Sequence, residues 1–180
     1  YGIKGNTSLN PEKSKTNELT INYDYSENIL FKSTAYKTKI FDRIESNAAY
    51  SKHENMKTDI KQEGLENTVS FKNNNHALSL FSNFSKSRKD NGQAQNRRPD
   101  LSYGANYSAK IKNSPIGELM MNVNYKYTGN YTDWDGAKNS KQKNVDIVNL
   151  TLNKKILKNT ISFDIKNLFD KHYEKPATYG

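Results

Sequence analysis

The most constraining feature of this chain is a strict alternation of apolar and polar residues. In segment 161–166, ISFDIK, the first, third and fifth residues are apolar and the others are polar or charged. A period of two predicts a β-strand, and β-branched and aromatic residues suit its pleated surface. Because the opposite face carries charge, that face must contact water. The chain therefore predicts strands with one apolar and one solvated face.

The same pattern recurs in about eight segments, and it is cleanest in 101–111. The predicted strands are 19–25, 29–43, 57–71, 78–84, 101–111, 119–127, 148–152 and 161–165. A polar lead-in, 10–16, precedes them, and Pro11 is expected to keep it out of regular structure. The longer polar connections are 44–56, 87–99 and 132–143, and they alternate with short turns.

This alternation of connection length predicts the fold class. Transmembrane barrels carry short turns on one side and long loops on the other, whereas a soluble sandwich gives no reason for such regularity. Strands of about 9–11 residues cross a bilayer when tilted, and in lipid every backbone donor must be paired. We therefore expect an all-β fold, a transmembrane antiparallel β-barrel.

The composition leaves two alternatives for the low apolar content. Only 33% of residues are hydrophobic and the mean hydropathy is −0.99, against about 45–50% apolar residues in ordinary soluble domains. Either much of the chain is disordered, or the apolar residues form one thin layer. The 12 Tyr, 7 Phe and 1 Trp, together with the alternation, favour the thin layer.

Several classes of protein and site are excluded by residues that are missing. The chain has no cysteine, so disulfides and thiolate metal sites are excluded. Its first residues contain no apolar segment typical of a signal peptide. No apolar run approaches the roughly 18 residues of a transmembrane helix. A membrane role therefore requires a barrel.

The aromatic residues test the barrel prediction. If 26–28 is a periplasmic turn, one set of aromatic side chains lies at the inner strand ends and another at the outer ends, as in interfacial girdles. The inner set is Tyr23, Tyr25 and Phe71, and the outer set is Phe84, Tyr125, Tyr127 and Tyr131. The alternative is that aromatic residues simply favour strands.

Short motifs along the chain resemble those of TonB-dependent outer-membrane receptors. Segment 10–15, NPEKSK, followed by a strand with EL at 18–19, is similar to the family's NPxLKPExS…YELG segment. Segment 61–66, KQEGLE, resembles its KxxGxE strand, with Gly64 and Glu66 at the matching positions, and RRP at 97–99 and YTG at 127–129 resemble two further segments. Segment 165–174 resembles the near-C-terminal NLFDKxYE signature. The matching signature residues are Asn10, Pro11, Glu12, Gly64, Glu66, Asn167, Leu168, Phe169, Asp170 and Tyr173.

The resemblance implies a fold and a function beyond this chain. It implies a 22-stranded barrel with an N-terminal plug, located in the outer membrane of a Gram-negative bacterium. It also implies uptake of a ferric siderophore or cobalamin, driven by the TonB complex through the plug and needing no cofactor. Short loops suggest the vitamin B12 and colicin I receptor branches. Residues 1–180 are then expected to be the C-terminal part of the barrel, without plug, TonB box or final strand.

Catalytic and metal sites receive no support from the sequence. His53, His76 and His172 are predicted to lie in loops or turns, with no partner at the spacing of a triad or metal site. Segment 133–136, DWDG, begins like a calcium loop but lacks the closing Glu. A solvated loop is the favoured interpretation there. We predict no enzyme activity and no metal site.

Ligand contacts are expected in the predicted outer loops. The candidate ligand-binding residues are Arg97, Arg98, Tyr131, Asp133 and Trp134. Two of these loops are basic: one contains Arg88, Lys89, Arg97 and Arg98, and the other contains Lys138, Lys141 and Lys143. The chain has a net charge of +9. The two basic loops predict contact with lipopolysaccharide or an anionic ferric siderophore. Solvated loops without a partner are the alternative.

Three functional hypotheses remain open. The first is the TonB-dependent transporter, the second a small non-transporting barrel with a structural or adhesive role, and the third a soluble β-rich binding protein. Nucleic-acid binding requires stacking aromatics within a basic patch, whereas the tyrosines here alternate on an apolar face. No nucleic-acid partner is therefore expected.

Overall fold

A computed structural model describes residues 4–47, 50–134 and 138–173, with the side chain of Trp134 outside the described part. It contains twelve β-strands. They are β1 (Lys13–Ser26), β2 (Ile29–Phe41), β3 (Ile44–Ser46), β4 (His53–Asn55), β5 (Ile60–Lys72), β6 (His76–Lys89), β7 (Leu101–Ile111), β8 (Leu119–Thr128), β9 (Tyr131–Trp134), β10 (Asn139–Gln142), β11 (Val145–Ile156) and β12 (Asn159–Ile165). Among these residues there is no helix long and apolar enough to cross a membrane.

Eight long strands form one antiparallel sheet in the order β1-β2-β5-β6-β7-β8-β11-β12. Each long strand therefore pairs with the next long strand along the chain. The other four strands form two small hairpins, β3–β4 and β9–β10, within the connections from β2 to β5 and from β8 to β11. The fold class is the one expected, an all-β antiparallel sheet with the architecture of a partial transmembrane barrel.

The pairing register gathers most of the apolar side chains on one side of the sheet, here called the apolar face. Leu65 lies opposite Ala35 on β2 and Phe84 on β6, and the same rows continue across the later strands. These residues do not fill a core, since Ile60 and Ala109 are the only buried hydrophobic residues of the described part. Ile21 is 60% exposed and Ile161 58% exposed. So large an exposed apolar surface marks an interaction surface.

The opposite side, here called the polar face, is connected by side-chain hydrogen bonds between strands. Asn124 donates to Asn106 at 2.6 Å, and Asn149 donates to Asn124 at 3.2 Å. Thr20 and Thr34 form a similar contact at 3.0 Å between β1 and β2. Cross-strand pairs of this kind stabilise a sheet, so this face can contact water without losing its order.

The two ends of the strands differ in the length of their connections. At the short-connection end, the turns between β1 and β2, β5 and β6, and β11 and β12 contain two or three residues, and the connection between β7 and β8, residues 112–118, contains seven. At the long-connection end lie residues 42–59, 90–100 and 129–144. The aromatic pair Tyr23–Phe31 lies towards the short-connection end, and Tyr103–Tyr127 towards the long-connection end. Their role at a membrane interface stays a prediction.

The strand boundaries differ from the predicted ones at the long-connection end. β1 begins at Lys13 rather than at residue 19, because Lys13–Glu18 pair in register with β2. Pro11 therefore precedes the strand without excluding the whole lead-in from it. β6 continues to Lys89. The polar segments 44–56 and 132–143, predicted as plain loops, contain most of the hairpins β3–β4 and β9–β10. These pairings join residues distant in sequence, which local polarity does not reveal.

Candidate ligand site and signature segments

Two of the predicted ligand residues bind each other across two long connections. Arg97 Nε donates to Asp133 Oδ1 at 2.6 Å, and the Arg97 amide donates to Thr132 O at 2.7 Å. Asp133 is only 4% exposed, so the expectation of a solvated side chain is wrong at this residue. Arg97 has a φ of 62°, a left-handed conformation that these two contacts help to hold. The pair fastens residues 90–100 onto β9.

Two other predicted ligand residues line one small groove. Arg98 and Tyr131, together with Lys141, lie around a cavity of about 170 Å³ at the long-connection end. Tyr131 and Lys141 also line a larger cavity of about 560 Å³, whose other walls include Lys143, His172 and Tyr173. The structure thus groups cationic and aromatic side chains that are distant in sequence. Arrangements of this kind attract anionic, ring-bearing ligands.

Sequence reasoning missed two residues of the larger cavity as ligand candidates. His172 was expected to be only a loop residue, and Tyr173 only a part of the family signature, yet both line the cavity beside Lys143. The sequence carries no local signal for this grouping. It depends on the turn after β12 meeting the hairpin β9–β10.

The predicted calcium-like segment is only partly within the described residues. Asp135 and Gly136 lie outside them, as does the side chain of Trp134. The carboxylate of Asp133 is bound to Arg97 rather than exposed for a cation. The contact expected between Trp134 and a ligand stays a prediction.

The basic segment 87–99 is not an extended polar loop. Ser87 is 1% exposed and donates to Gln95 Oε1 at 2.7 Å, so the segment folds back onto the end of β6. Arg88 lies on β6 and forms a bidentate ion pair with Asp100, in which Nη1 donates to Oδ1 at 3.1 Å and Nη2 to Oδ2 at 2.7 Å. Of the four cations predicted in that loop, two therefore belong to the strand, namely Arg88 and Lys89.

Two histidines are also placed differently from the prediction. His53 lies in β4 and His76 begins β6. His76 Nδ1 lies 2.8 Å from the Tyr107 hydroxyl, and the two rings stack. His76 is thereby packed as part of the sheet surface.

The first signature segment fastens the connection 42–59 to the beginning of β1. The Asn10 amide donates to Asn55 Oδ1 at 2.8 Å, and Asn55 Nδ2 donates back to Asn10 O at 2.9 Å. The carboxylate of Glu12 accepts from the Ile44 amide at 3.4 Å. Pro11 stands between these contacts, immediately before the strand, where a missing N–H is tolerated.

Gly64, in the second signature segment, is required by a close ring contact. Tyr36 lies directly opposite Gly64 and covers it; a Cβ at residue 64 would meet Tyr36 Cζ at 2.6 Å and Phe84 O at 2.7 Å. The Tyr36 hydroxyl donates to Ser85 Oγ at 3.2 Å. Glu66 accepts from Asn83 at 3.3 Å on the same face. An aromatic ring over a strand glycine restores the missing packing.

The near-C-terminal signature segment, described here to Tyr173, forms a tight turn after β12. The Asn167 side chain accepts from the Lys171 amide at 3.0 Å and donates to Lys171 O at 2.9 Å. The Asn167 amide donates to Asn149 Oδ1 at 2.9 Å, which continues the amide ladder of the polar face. Asn167 and Asp170 have φ values of 53° and 49°, which Asn and Asp tolerate better than most residues. Leu168 and Phe169 stay exposed on this turn.

Comparison with solved structures finds the same strand arrangement in larger proteins. The chain is similar to the FrpB iron transporter from Neisseria meningitidis (F3-3 variant), with 16% identity and a TM-score of 0.73 over 95% of this chain and 29% of that one. It is similar to the ferripyoverdine receptor of Pseudomonas aeruginosa, with 17% identity and a TM-score of 0.72 over 92% and 24%. It is also similar to the ferric yersiniabactin uptake receptor FyuA from Yersinia pestis, with 19% identity and a TM-score of 0.76 over 90% and 26%.

These likenesses show the fold, and the chain spans only 24–29% of those proteins' length. A comparison with curated proteins found no match. The sequence matches the family described as "TonB dependent receptor-like, beta-barrel" over residues 1–168, which is nearly the whole chain. The members are receptors rather than enzymes. The chain belongs to the family of TonB-dependent receptor β-barrels.

Proposed function

We propose that this chain is the C-terminal part, residues 1–180, of an outer-membrane receptor for TonB-dependent uptake of a ferric siderophore. The observation that carries the proposal is the two-sided sheet, with an exposed apolar face and a hydrogen-bonded polar face. In this proposal the apolar face contacts lipid and the polar face lines the lumen of a barrel. The long-connection end faces the cell exterior.

Ferric siderophores are favoured over cobalamin by two observations. Three solved structures similar to this chain carry iron or ferric chelates in their names, namely the FrpB iron transporter, the ferripyoverdine receptor and the ferric yersiniabactin receptor. The grooves at the long-connection end group Arg98, Lys141 and Lys143 with Tyr131 and Tyr173. Cations beside aromatic rings suit an anionic chelate with ring ligands. Cobalamin, and the vitamin B12 and colicin I branches, stay as the alternative ligand class.

Among the sequence-predicted contacts, we assign Arg98 and Tyr131 to the ligand and Arg97 and Asp133 to loop docking. Arg97 and Asp133 are engaged with each other at 2.6 Å, whereas Arg98 and Tyr131 line the groove. Lys141, which borders both cavities, is added to the ligand set. The TonB complex would act through a plug domain outside residues 1–180.

The test is uptake by cells that express the full-length protein. Radiolabelled iron presented on a panel of anionic siderophores is expected to enter energised cells, and uptake should stop when TonB or the proton-motive force is removed. The double variant Arg98→Gln/Lys141→Gln should lower affinity for the chelate at least fivefold, because two charges facing an anion are lost. Lys155→Gln/Lys158→Gln, which removes the same two charges at the short-connection end, should leave affinity unchanged.

Other outcomes of this test separate the competing hypotheses. Uptake of cobalamin but of no iron chelate would move the ligand class to cobalamin. A folded outer-membrane protein that imports none of the panel would favour the non-transporting barrel with a structural or adhesive role. A folded monomer that stays soluble without detergent would favour the soluble binding protein and contradict the membrane assignment.

A further inference from the structure

Four cations lie directly opposite one another across four adjacent strands at the long-connection end. Lys15 on β1 pairs with Lys39 on β2, Lys39 with Lys61 on β5, and Lys61 with Arg88 on β6. We call these residues the cationic row. Like charges placed directly opposite each other destabilise a sheet. A row of four therefore requires compensation by anions.

The cationic row lies on the apolar face. Residues two apart along a strand share a face, so Lys61 shares its face with Leu65, and Arg88 shares its face with Phe84. The intermediate positions hold Asn17, Lys37, Glu63 and Lys86, which also pair in register. Each step of two residues rises about 6.7 Å. Along the strand, the charged positions therefore begin about 7 Å and end about 13 Å beyond the last apolar positions. At a strand tilt of about 45° these distances are about 5 and 9 Å along the membrane normal, which brings the charges to the lipid headgroups.

Carboxylates from the long connections neutralise only part of this charge. Lys39 binds Asp59 at 2.6 Å, Lys61 binds Asp90 at 2.9 Å, and Arg88 binds Asp100 at 2.7 Å. Within residues 4–47, 50–134 and 138–173, Lys15, Lys37 and Lys86 form no ion pair. The six cations of the two charged rows therefore face only four carboxylates, those of Asp59, Glu63, Asp90 and Asp100.

A groove opens between these side chains. It has a volume of about 180 Å³ and is lined by Lys37, Lys61, Gln62, Glu63, Lys86 and Arg88. Lys37 and Lys86 are exposed and form no ion pair among the described residues, so their ammonium groups are available to a ligand in the surrounding membrane. Phosphate oxygens accept hydrogen bonds from lysine and arginine.

We propose that the cationic row, with Lys37 and Lys86 beside it, binds the phosphates of lipopolysaccharide at the membrane surface. The inference rests on the proposed outer-membrane location. The sequence predicts lipopolysaccharide contacts at the basic loops, whereas this site lies on the outer surface of the strands. The cationic row spans three strand spacings, about 14 Å. That width allows contact with two phosphates at once, which favours a bisphosphorylated lipid over a phospholipid with one phosphate.

The proposal is tested by lipid binding to the full-length protein, purified in detergent and stripped of lipid. Binding of bisphosphorylated lipid A is followed by native mass spectrometry over a range of lipid concentrations. The double variant Lys37→Gln/Lys86→Gln is expected to weaken binding roughly tenfold or more, because each lysine contributes to attraction of an anionic surface. Unheated gel mobility confirms that each variant is folded. This readout is independent of transport, so failure of lipid binding and failure of the proposed uptake are distinguishable.

The matched control is Lys32→Gln/Lys158→Gln, which removes the same charge elsewhere. Lys32 lies on the polar face, opposite Asn22 and Thr68, and Lys158 lies in a turn at the short-connection end. Unchanged binding by the control and tighter binding of bisphosphorylated than monophosphorylated lipid A would support the site. Equal losses in both double variants, no binding by the unaltered protein, or displacement of the lipid by millimolar inorganic phosphate would each overturn it.

Discussion

The two ends of the long strands are held by different interactions. Eight of the nine ion pairs among the described residues lie at the long-connection end, and the ninth, Lys110–Glu118, lies at the short-connection end. At the short-connection end, the turn between β5 and β6 depends on Asn73, whose side chain accepts from the Asn75 and His76 amides at 2.9 and 2.8 Å. Most ion pairs at the long-connection end join residues distant in sequence, whereas the β5–β6 turn at the other end is closed by local side-chain hydrogen bonds.

The difference follows from the absence of a core beneath the described connections. A long loop in a globular protein is usually held by burying apolar side chains, but here the apolar side chains face outward from the sheet. Segments of 11 to 18 residues therefore depend on polar contacts such as Arg97–Asp133 and Asn10–Asn55. A turn of two or three residues needs only its own hydrogen bonds. Polar contacts between residues distant in sequence thus take the place of a core at the described part of the long-connection end.

The largest effect is expected from Arg97→Ala. It leaves the buried Asp133 carboxylate without its guanidinium and should cost about 2–3 kcal/mol of local stability, less than a fully buried pair because the Arg97 side chain is 38% exposed. The measurement is the rate of proteolytic cleavage within residues 90–100 of the folded full-length protein. Arg98→Ala is the control, and equal rates in both variants would contradict docking by Arg97.

The next largest effect is expected from Asn167→Ala. The substitution removes both side-chain hydrogen bonds to Lys171 and places alanine at a φ of 53°, for a cost of about 2 kcal/mol. Hydrogen exchange at the Lys171 amide should accelerate. Asn167→Gly keeps the backbone conformation accessible, so it should show a smaller loss. A larger loss in the glycine variant would exclude the conformational part of this explanation.

A smaller effect is expected from Asn73→Ala at the short-connection end. Two local hydrogen bonds to the Asn75 and His76 amides are lost, at a cost of about 1 kcal/mol. Exchange of the His76 amide should accelerate while protease sensitivity of residues 90–100 stays unchanged. Asn74→Ala, at the neighbouring residue, is the matched control and should leave exchange of the His76 amide unchanged. If cleavage at the other end also rose, the two ends would be coupled and the comparison would fail.

The smallest effect concerns pH. A hydrogen bond from Lys61 is the main reason that the pKa of the Asp90 carboxyl is lowered. A group whose folded-state pKa is lowered contributes stability above its ordinary pKa and loses it as pH falls through the folded value. Cleavage within residues 90–100 should therefore increase slightly only as the pH falls below the ordinary pKa of an aspartate and through the lowered pKa of Asp90. Asp90→Asn should lack this acid-dependent increase; an increase of the same size in the variant would assign it to another group.

Prediction from sequence succeeded where a structure depends on neighbouring residues. Alternation in segments such as 101–111 predicted the strands and their two faces, and the lengths of the connections predicted antiparallel neighbours. The signature around Asn167 pointed to the family, which the match over residues 1–168 confirms. The assignment to the vitamin B12 or colicin I branch stays a prediction.

Prediction was weakest in the long connections. Ser87–Lys89 belong to β6, Asp133 is buried rather than solvated, and His172 lines a cavity beside Lys143. Each of these placements depends on a partner in another connection. Polarity along the sequence indicates only that such segments avoid an apolar environment, and it does not identify their partners.

The sequence by itself determined the two-faced strands, their antiparallel order and the family, because these depend on a period of two, on short turns and on local motifs. Only the tertiary structure decided that Lys15, Lys39, Lys61 and Arg88 stand side by side, that Tyr36 covers Gly64, and that Arg97 binds Asp133. The physical reason is pairing register. A shift of one residue moves every side chain to the other face, so cross-strand neighbours are defined only once all the strands have paired.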